Sequence, residues 1–145
     1  MSFYRVVKAG TASVTVPLKV IDSTLGTPET GVTYTTTGIA LWYRRQGAAV
    51  TAITEATQTA SGAFASGGFV HLSDGRCRLD LPNAATVTGA VFVEYGGTIT
   101  GMIVIGGVVD LVTNDPYGTF NVNVAKINAT TVTGAGTATS KWGPA

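Results

Sequence analysis

Apolar and polar side chains alternate over residues 13–22. Val14, Val16, Leu18 and Val20 fall on one parity, and Thr15, Pro17 and Lys19 on the other, the period-two signature of a strand with one buried face. Pro17 has no N–H to give to a ladder, which places this strand at an edge or at a break between sheets. Residues 23–31 are rich in turn formers and read as a loop. A second strand covers 39–45, with Ile39, Leu41 and Tyr43 on one face and Ala40, Trp42 and Arg44 on the other. Gln46-Gly47 closes it, and 49–54 returns as its hairpin partner.

From 55 to 68 the alternation dissolves into Ala, Thr, Ser and Gly, which predicts a loop with one helical turn near 55–58. Strands resume at 69–72 and 76–81 across Ser73-Asp74-Gly75, whose Asp-Gly step favours a tight hairpin. In the second of them Leu79 and Leu81 alternate with Arg78 and Asp80, and Pro82-Asn83-Ala84-Ala85 ends the run. Two further strands are expected at 89–95 and 98–112, separated by Gly96-Gly97, the latter bending around Gly106-Gly107. Seven or eight short strands within about 112 residues, and no segment of helical period, define an all-β chain with the strand spacing of a sandwich.

After Val112 the texture changes. Residues 114–118 break the pattern, then Phe120, Val122 and Val124 alternate with Asn121 and Asn123, enough for one more short strand. The Thr, Gly and Ala that follow cannot build a core alone. Trp142 nevertheless carries a large apolar ring almost at the last residue. The division expected is a β-sandwich domain over 1–113 and an extended C-terminal arm over 114–145. Phe120, Ile127 and Trp142 are its candidate contacts with another chain; a frayed tail is the alternative.

Composition agrees with the strand reading. The chain has 145 residues, with Gly at 19, Val at 18 and Thr at 24, so β-branched residues and turn formers dominate. Only 12% of residues are charged, about half of the roughly 25% usual in soluble domains. A net charge of +1 lacks the electrostatic footprint of a nucleic-acid binder. No apolar run reaches the ~18 residues of a membrane helix, and the first ten residues contain no signal-peptide h-region. One cysteine and one histidine do not make a structural zinc site, and no cofactor motif appears.

Candidate chemistry is sparse. His71 shares a strand face with Phe69, as a partly buried or interface histidine would, and no residue is placed to orient it as a base. Cys77 lies between Arg76 and Arg78 but points with Leu79 and Leu81, so it reads as core; an intersubunit contact and a reactive thiol are the alternatives. The eight carboxylates are scattered singly, without the pairing of a glycosidase. Trp42-Tyr43 before Arg44-Arg45 reads as a strand with one aromatic in the core and the arginines at its exposed end, against a platform that stacks a base or a sugar. No catalytic residue is assigned, and the chain is expected not to be an enzyme.

Four segments carry a resemblance: Gly38 to Ala49 (GIALWYRRQGAA), Gly68 to Leu72 (GFVHL), Arg76 to Ala85 (RCRLDLPNAA) and Thr100 to Ile105 (TGMIVI). They resemble an immunoglobulin-like module of tailed-bacteriophage structural proteins, in which a Trp-Tyr-Arg-Arg strand is followed by an Arg-Leu-Asp-Leu-Pro strand end. Cys77 stands where that pattern more usually has tyrosine. The stretch from Val124 to Ala145, with its Ile-Asn start and Trp-Gly-Pro close, resembles the endings of some phage chains. The resemblance implies a non-enzymatic virion component, a homo-oligomer whose partners are other virion proteins. Capsid decoration on the major capsid protein is favoured, because no long fibre-forming region follows the sandwich. A tail, baseplate or fibre adaptor is the alternative within the virion, and a carbohydrate-binding module using Trp42 and Tyr43 the alternative of another class.

Overall fold

The alternating segment at 13–22 becomes β2 (Thr15–Asp22). Val16, Leu18 and Val20 on its inner face are at most 1% exposed. The computed structural model describes residues 2–118, together with the strands at 126–127, 130–133 and 143–144. Ten strands make two five-stranded sheets. Sheet I has the order β1-β10-β8-β3-β4, built from β1 (Phe3–Lys8), β3 (Ala40–Arg45), β4 (Thr51–Ala52), β8 (Phe92–Thr98) and β10 (Gly107–Val112). Sheet II has the order β5-β6-β7-β2-β9, adding β5 (Ala56–Thr57), β6 (Gly68–Ser73), β7 (Arg76–Asp80) and β9 (Met102–Ile105). The β1–β10 and β5–β6 pairs are parallel and the others antiparallel. Beyond them, β11 (Lys126–Ile127), β12 (Thr130–Thr133) and β13 (Gly143–Pro144) pair antiparallel.

The sheets share one core. Sheet I contributes Val7, Leu41, Tyr43, Val93, Tyr95, Val109 and Leu111, and sheet II contributes Val16, Leu18, Val20, Phe69, Cys77 and Leu79. Alternate residues of each strand therefore meet face to face, as in two packed sheets. The expected facing of residues 39–45 is observed, with Leu41 and Tyr43 buried and Arg44 exposed. The hairpin between β6 and β7 turns at Asp74 and Gly75, both at positive φ (49° and 68°), the conformation a tight two-residue turn requires.

Pro17 sits where its chemistry allows. β9 pairs only with Lys19–Asp22 of β2, so Pro17 has a strand neighbour on one side alone. On the open side its carbonyl accepts a hydrogen bond from the Tyr95 hydroxyl at 3.0 Å, and the Thr15 carbonyl accepts one from the Arg5 guanidinium. Side chains of sheet I thus close the half-edge that β9 leaves.

Several expectations are corrected. The first strand, β1, was not foreseen; only Val7 of it is fully buried, so the segment lacks an alternating apolar face. No helical turn forms at 55–58: residues 56–57 are β5, paired parallel to β6. The Gly96-Gly97 pair does not separate two strands but lies inside β8, opposite Trp42 and Leu41 of β3. The turn falls instead at 99–101, closed by the Met102 N–H on the Ile99 carbonyl. Residues 98–112 accordingly form two strands in different sheets, and the chain crosses between them at Gly106. A Cβ there would collide with the Tyr95 carbonyl, so only glycine permits this crossing. The strand count is ten in the two sheets rather than seven or eight.

Candidate functional site

The outer face of sheet I carries Tyr4, Trp42, Phe92, Arg44, Glu94 and Asp110. Register fixes which residues lie side by side. Tyr4, Val108, Glu94 and Arg44 form one row across β1, β10, β8 and β3. Val6, Asp110 and Phe92 form the next row on one side. Gly96, Trp42 and Ala52 form the row on the other.

Trp42 is the most unusual member. A Cβ built on Gly96 would stand 3.0 Å from its Cζ2 and 3.4 and 3.5 Å from Cε2 and Cη2. Such near-equal distances belong to a point above a ring face; a point beyond the ring edge would leave the two flanking atoms markedly farther away. The indole therefore lies flat over Gly96, as aromatic rings do when they cover a cross-strand glycine. Trp42 is half-buried, one face resting on the sheet. A side chain at 96 would push the ring away from the sheet by at least a few tenths of an ångström.

Beside it, Arg44 Nε donates to Glu94 Oε2 at 2.7 Å, and Arg44 Nη2 pairs with the same oxygen. Among the described residues, Arg44 Nη1 and Glu94 Oε1 have no hydrogen-bond partner. These groups border a cleft of about 540 Å³ whose walls include Trp42, Arg44, Glu94, Gly96, Gly106 and Val108. The far wall is the point where the chain crosses between sheets. On the next strand the Tyr4 hydroxyl donates to Asp110 Oδ2 at 2.6 Å. That hydrogen bond, with slight burial and the carboxylate charge, raises the Tyr4 pKa.

The structure separates the residues singled out in the sequence. Tyr43 is buried in the core, so it cannot share an outer face with Trp42. His71 and Cys77 are directly opposed on β6 and β7, with His71 half-buried and its Nε2 enclosed and, among the described residues, without a partner. Burial pushes the Cys77 thiol up to about 12, so this pair holds no thiolate near neutral pH. Arg45 turns away from Arg44, its Nη2 donating to the carbonyls of Val87 and Thr88 at 2.8 and 2.7 Å. Phe120 and Trp142 lie outside the described residues, and of Ile127 only the strand backbone in β11 is described. Among the described residues, no three metal-ligating side chains cluster, and no helix is long and apolar enough to cross a membrane.

One polar centre escaped the sequence reading. Strand parity sets Asp80 on the face away from the core, yet it is wholly buried. Its carboxylate accepts from Thr15 Oγ1 at 2.7 Å, Gln58 Nε2 at 2.6 Å, the Ala65 N–H at 3.0 Å and the Arg78 guanidinium. Arg78 Nη1 donates in turn to the carbonyls of Thr59, Ala60 and Gly62. The segment between β5 and β6 is thereby folded over β7. The only signal in the sequence was Arg and Asp two apart on one strand face.

Compared with protein-family models, with curated proteins and with solved structures, the chain matches none.

Proposed function

We propose that this chain is a non-enzymatic structural protein of a tailed-bacteriophage virion, an immunoglobulin-like module that decorates the capsid and contacts neighbouring subunits through its C-terminal arm. The observation that carries this reading is the strand order. β10-β8-β3 in sheet I and β6-β7-β2 in sheet II follow the G-F-C and D-E-B orders of an immunoglobulin sandwich. The place beside B is taken here by β9 rather than by a first strand, and β1 pairs beside G. The four segments that carry the phage resemblance supply β3, β6, β7 and β9, strands of both sheets. Sparse charge and a Thr- and Gly-rich surface suit a repetitive assembly, in which many weak contacts repeated by symmetry sum to firm attachment.

The test is the copy number of this chain relative to the major capsid protein in purified virions of the phage that encodes it. A ratio near one-to-one or somewhat below supports capsid decoration. A far smaller ratio moves the protein to the tail or baseplate, and absence from particles ends the virion reading. In the full chain, Trp142→Ala should lower occupancy on the capsid; unchanged coating would remove the arm's anchoring role.

A further inference from the structure

We infer that the cleft beside Trp42 is a saccharide-binding site, with the indole as stacking platform and the Arg44–Glu94 pair as the hydroxyl-recognising group. The inference rests on the outer face of sheet I alone and stands apart from the virion reading.

Three observations point to this ligand class. The Trp42 ring lies flat over Gly96, so its free face is presented parallel to the sheet. The C–H-rich face of a pyranose ring offers the complementary surface: broad, weakly polar and able to rest on a π cloud. Because the ring lies so close over Gly96 that a Cβ there would stand only 3.0 Å from Cζ2, the platform rests on the sheet before a ligand arrives, which reduces the ordering cost of binding.

The second observation is the hydrogen-bonding pattern next to the ring. Arg44 Nε and Nη2 both engage Glu94 Oε2, which leaves the donor at Nη1 and the acceptor at Oε1 without partners among the described residues. Two adjacent hydroxyls match that arrangement, one donating to the carboxylate while the other accepts from the guanidinium. The third is charge. One cation and one anion cancel at the cleft, so the site selects neither a polyanion nor a polycation and suits a neutral sugar. The depression is open to solvent rather than enclosed, which suits a ligand laid on a surface and the weak affinity of a small contact area.

The experiment uses the full chain labelled with nitrogen-15. Two tryptophans give two indole N–H resonances, which Trp42→Phe assigns. Glucose-, galactose- and N-acetylglucosamine-based hexasaccharides are titrated to about 20 mM, a range that captures the millimolar affinities of small contact areas. The expected result is saturable movement of the Trp42 indole and of the Gly96 and Gly97 amides with at least one of them, the Trp142 indole staying still. Glu94→Gln, which keeps the size of the side chain, should weaken that affinity roughly tenfold by removing a charged acceptor. Failure of all three sugars to move the Trp42 indole overturns the proposal, as does a response that Glu94→Gln leaves unchanged. Sedimentation is the second arm. Concentration-dependent dimerisation that Trp42→Ala abolishes would assign this face to a second copy of the chain and overturn the saccharide reading.

Discussion

Arg78 and Asp80, two residues apart on β7, form a two-pronged ion pair in which Nε donates to Oδ1 at 2.9 Å and Nη2 to Oδ2 at 3.0 Å. The side chains are 13% and 0% exposed, so the pair is almost dry. It also ties the covering segment to β7: Asp80 receives the Ala65 N–H and Gln58, while Arg78 holds three carbonyls. Parity alone would have left this strand face in water.

Breaking that pair from either side should be costly, and the two losses should not add. Asp80→Asn leaves a buried guanidinium without its counter-charge and is expected to lower unfolding stability by on the order of 3 kcal/mol. Arg78→Met strands the carboxylate and should cost a similar amount. The double variant Arg78→Met/Asp80→Leu should lose clearly less than the sum of the two, because it removes both charges and leaves none buried alone. Urea unfolding of the four proteins checks this; additive losses would mean that the pair is not coupled.

Stability should fall in acid, with a sign set by Asp80. Burial pushes its carboxyl up, but the Arg78 guanidinium, the Ala65 N–H, Thr15 and Gln58 outweigh that and hold it below the usual carboxylate range. The unfolded chain therefore takes up the proton first as pH falls. The contribution is complete above the ordinary value of about 3.9 and is lost as pH drops from there through the folded value. Asp22, held down by the Leu25 and Thr24 N–H groups, acts with the same sign from an exposed turn. Urea midpoints between about pH 5 and pH 2 should decline for the wild type and less steeply for Asp80→Asn. Parallel slopes would exclude Asp80 as the source.

Cys77 should behave as core. It is 1% exposed, and burial pushes its thiol up to about 12. At pH 8 the folded chain is expected to resist an aromatic disulfide reagent and to react with one equivalent only once denatured. Rapid labelling of the folded protein, or a disulfide-linked dimer on a non-reducing gel, would contradict this placement.

Two glycines separate two reasons for lacking a side chain. Gly106 stands where a Cβ would meet the Tyr95 carbonyl, whereas Gly47 has φ +73° and nothing within 4 Å of its Cβ position. Gly106→Ala should cost roughly 3 kcal/mol through overpacking at the sheet crossing. Gly47→Ala should cost about 1 kcal/mol through backbone conformation alone. Equal losses in thermal or urea unfolding would show that the crossing can relax.

What the sequence by itself determined was the information carried by period and by local turn chemistry. Alternation placed β2, β3, β6 and β7, put Leu41 and Tyr43 on one face opposite Trp42 and Arg44, and turned Cys77 inward. Asp74-Gly75 announced its hairpin because positive φ is a local requirement. Each of these depends on residues within a few positions of one another.

Only the tertiary structure decided the rest, because the deciding partners are remote in the chain. β1 lacks an alternating apolar face and exists through its parallel ladder with β10, a hundred residues away. Gly96-Gly97 carry a breaker's signature, yet they run through a strand because Trp42 and Leu41 of β3 lie against them. Asp80 reads as a surface carboxylate until the segment between β5 and β6 folds over it. The cleft beside Trp42 arises in the same way, from a ring, a glycine and an ion pair on neighbouring strands. Strand period specifies which face a side chain takes; whether that face meets water, a covering loop or a ligand depends on which strands become neighbours.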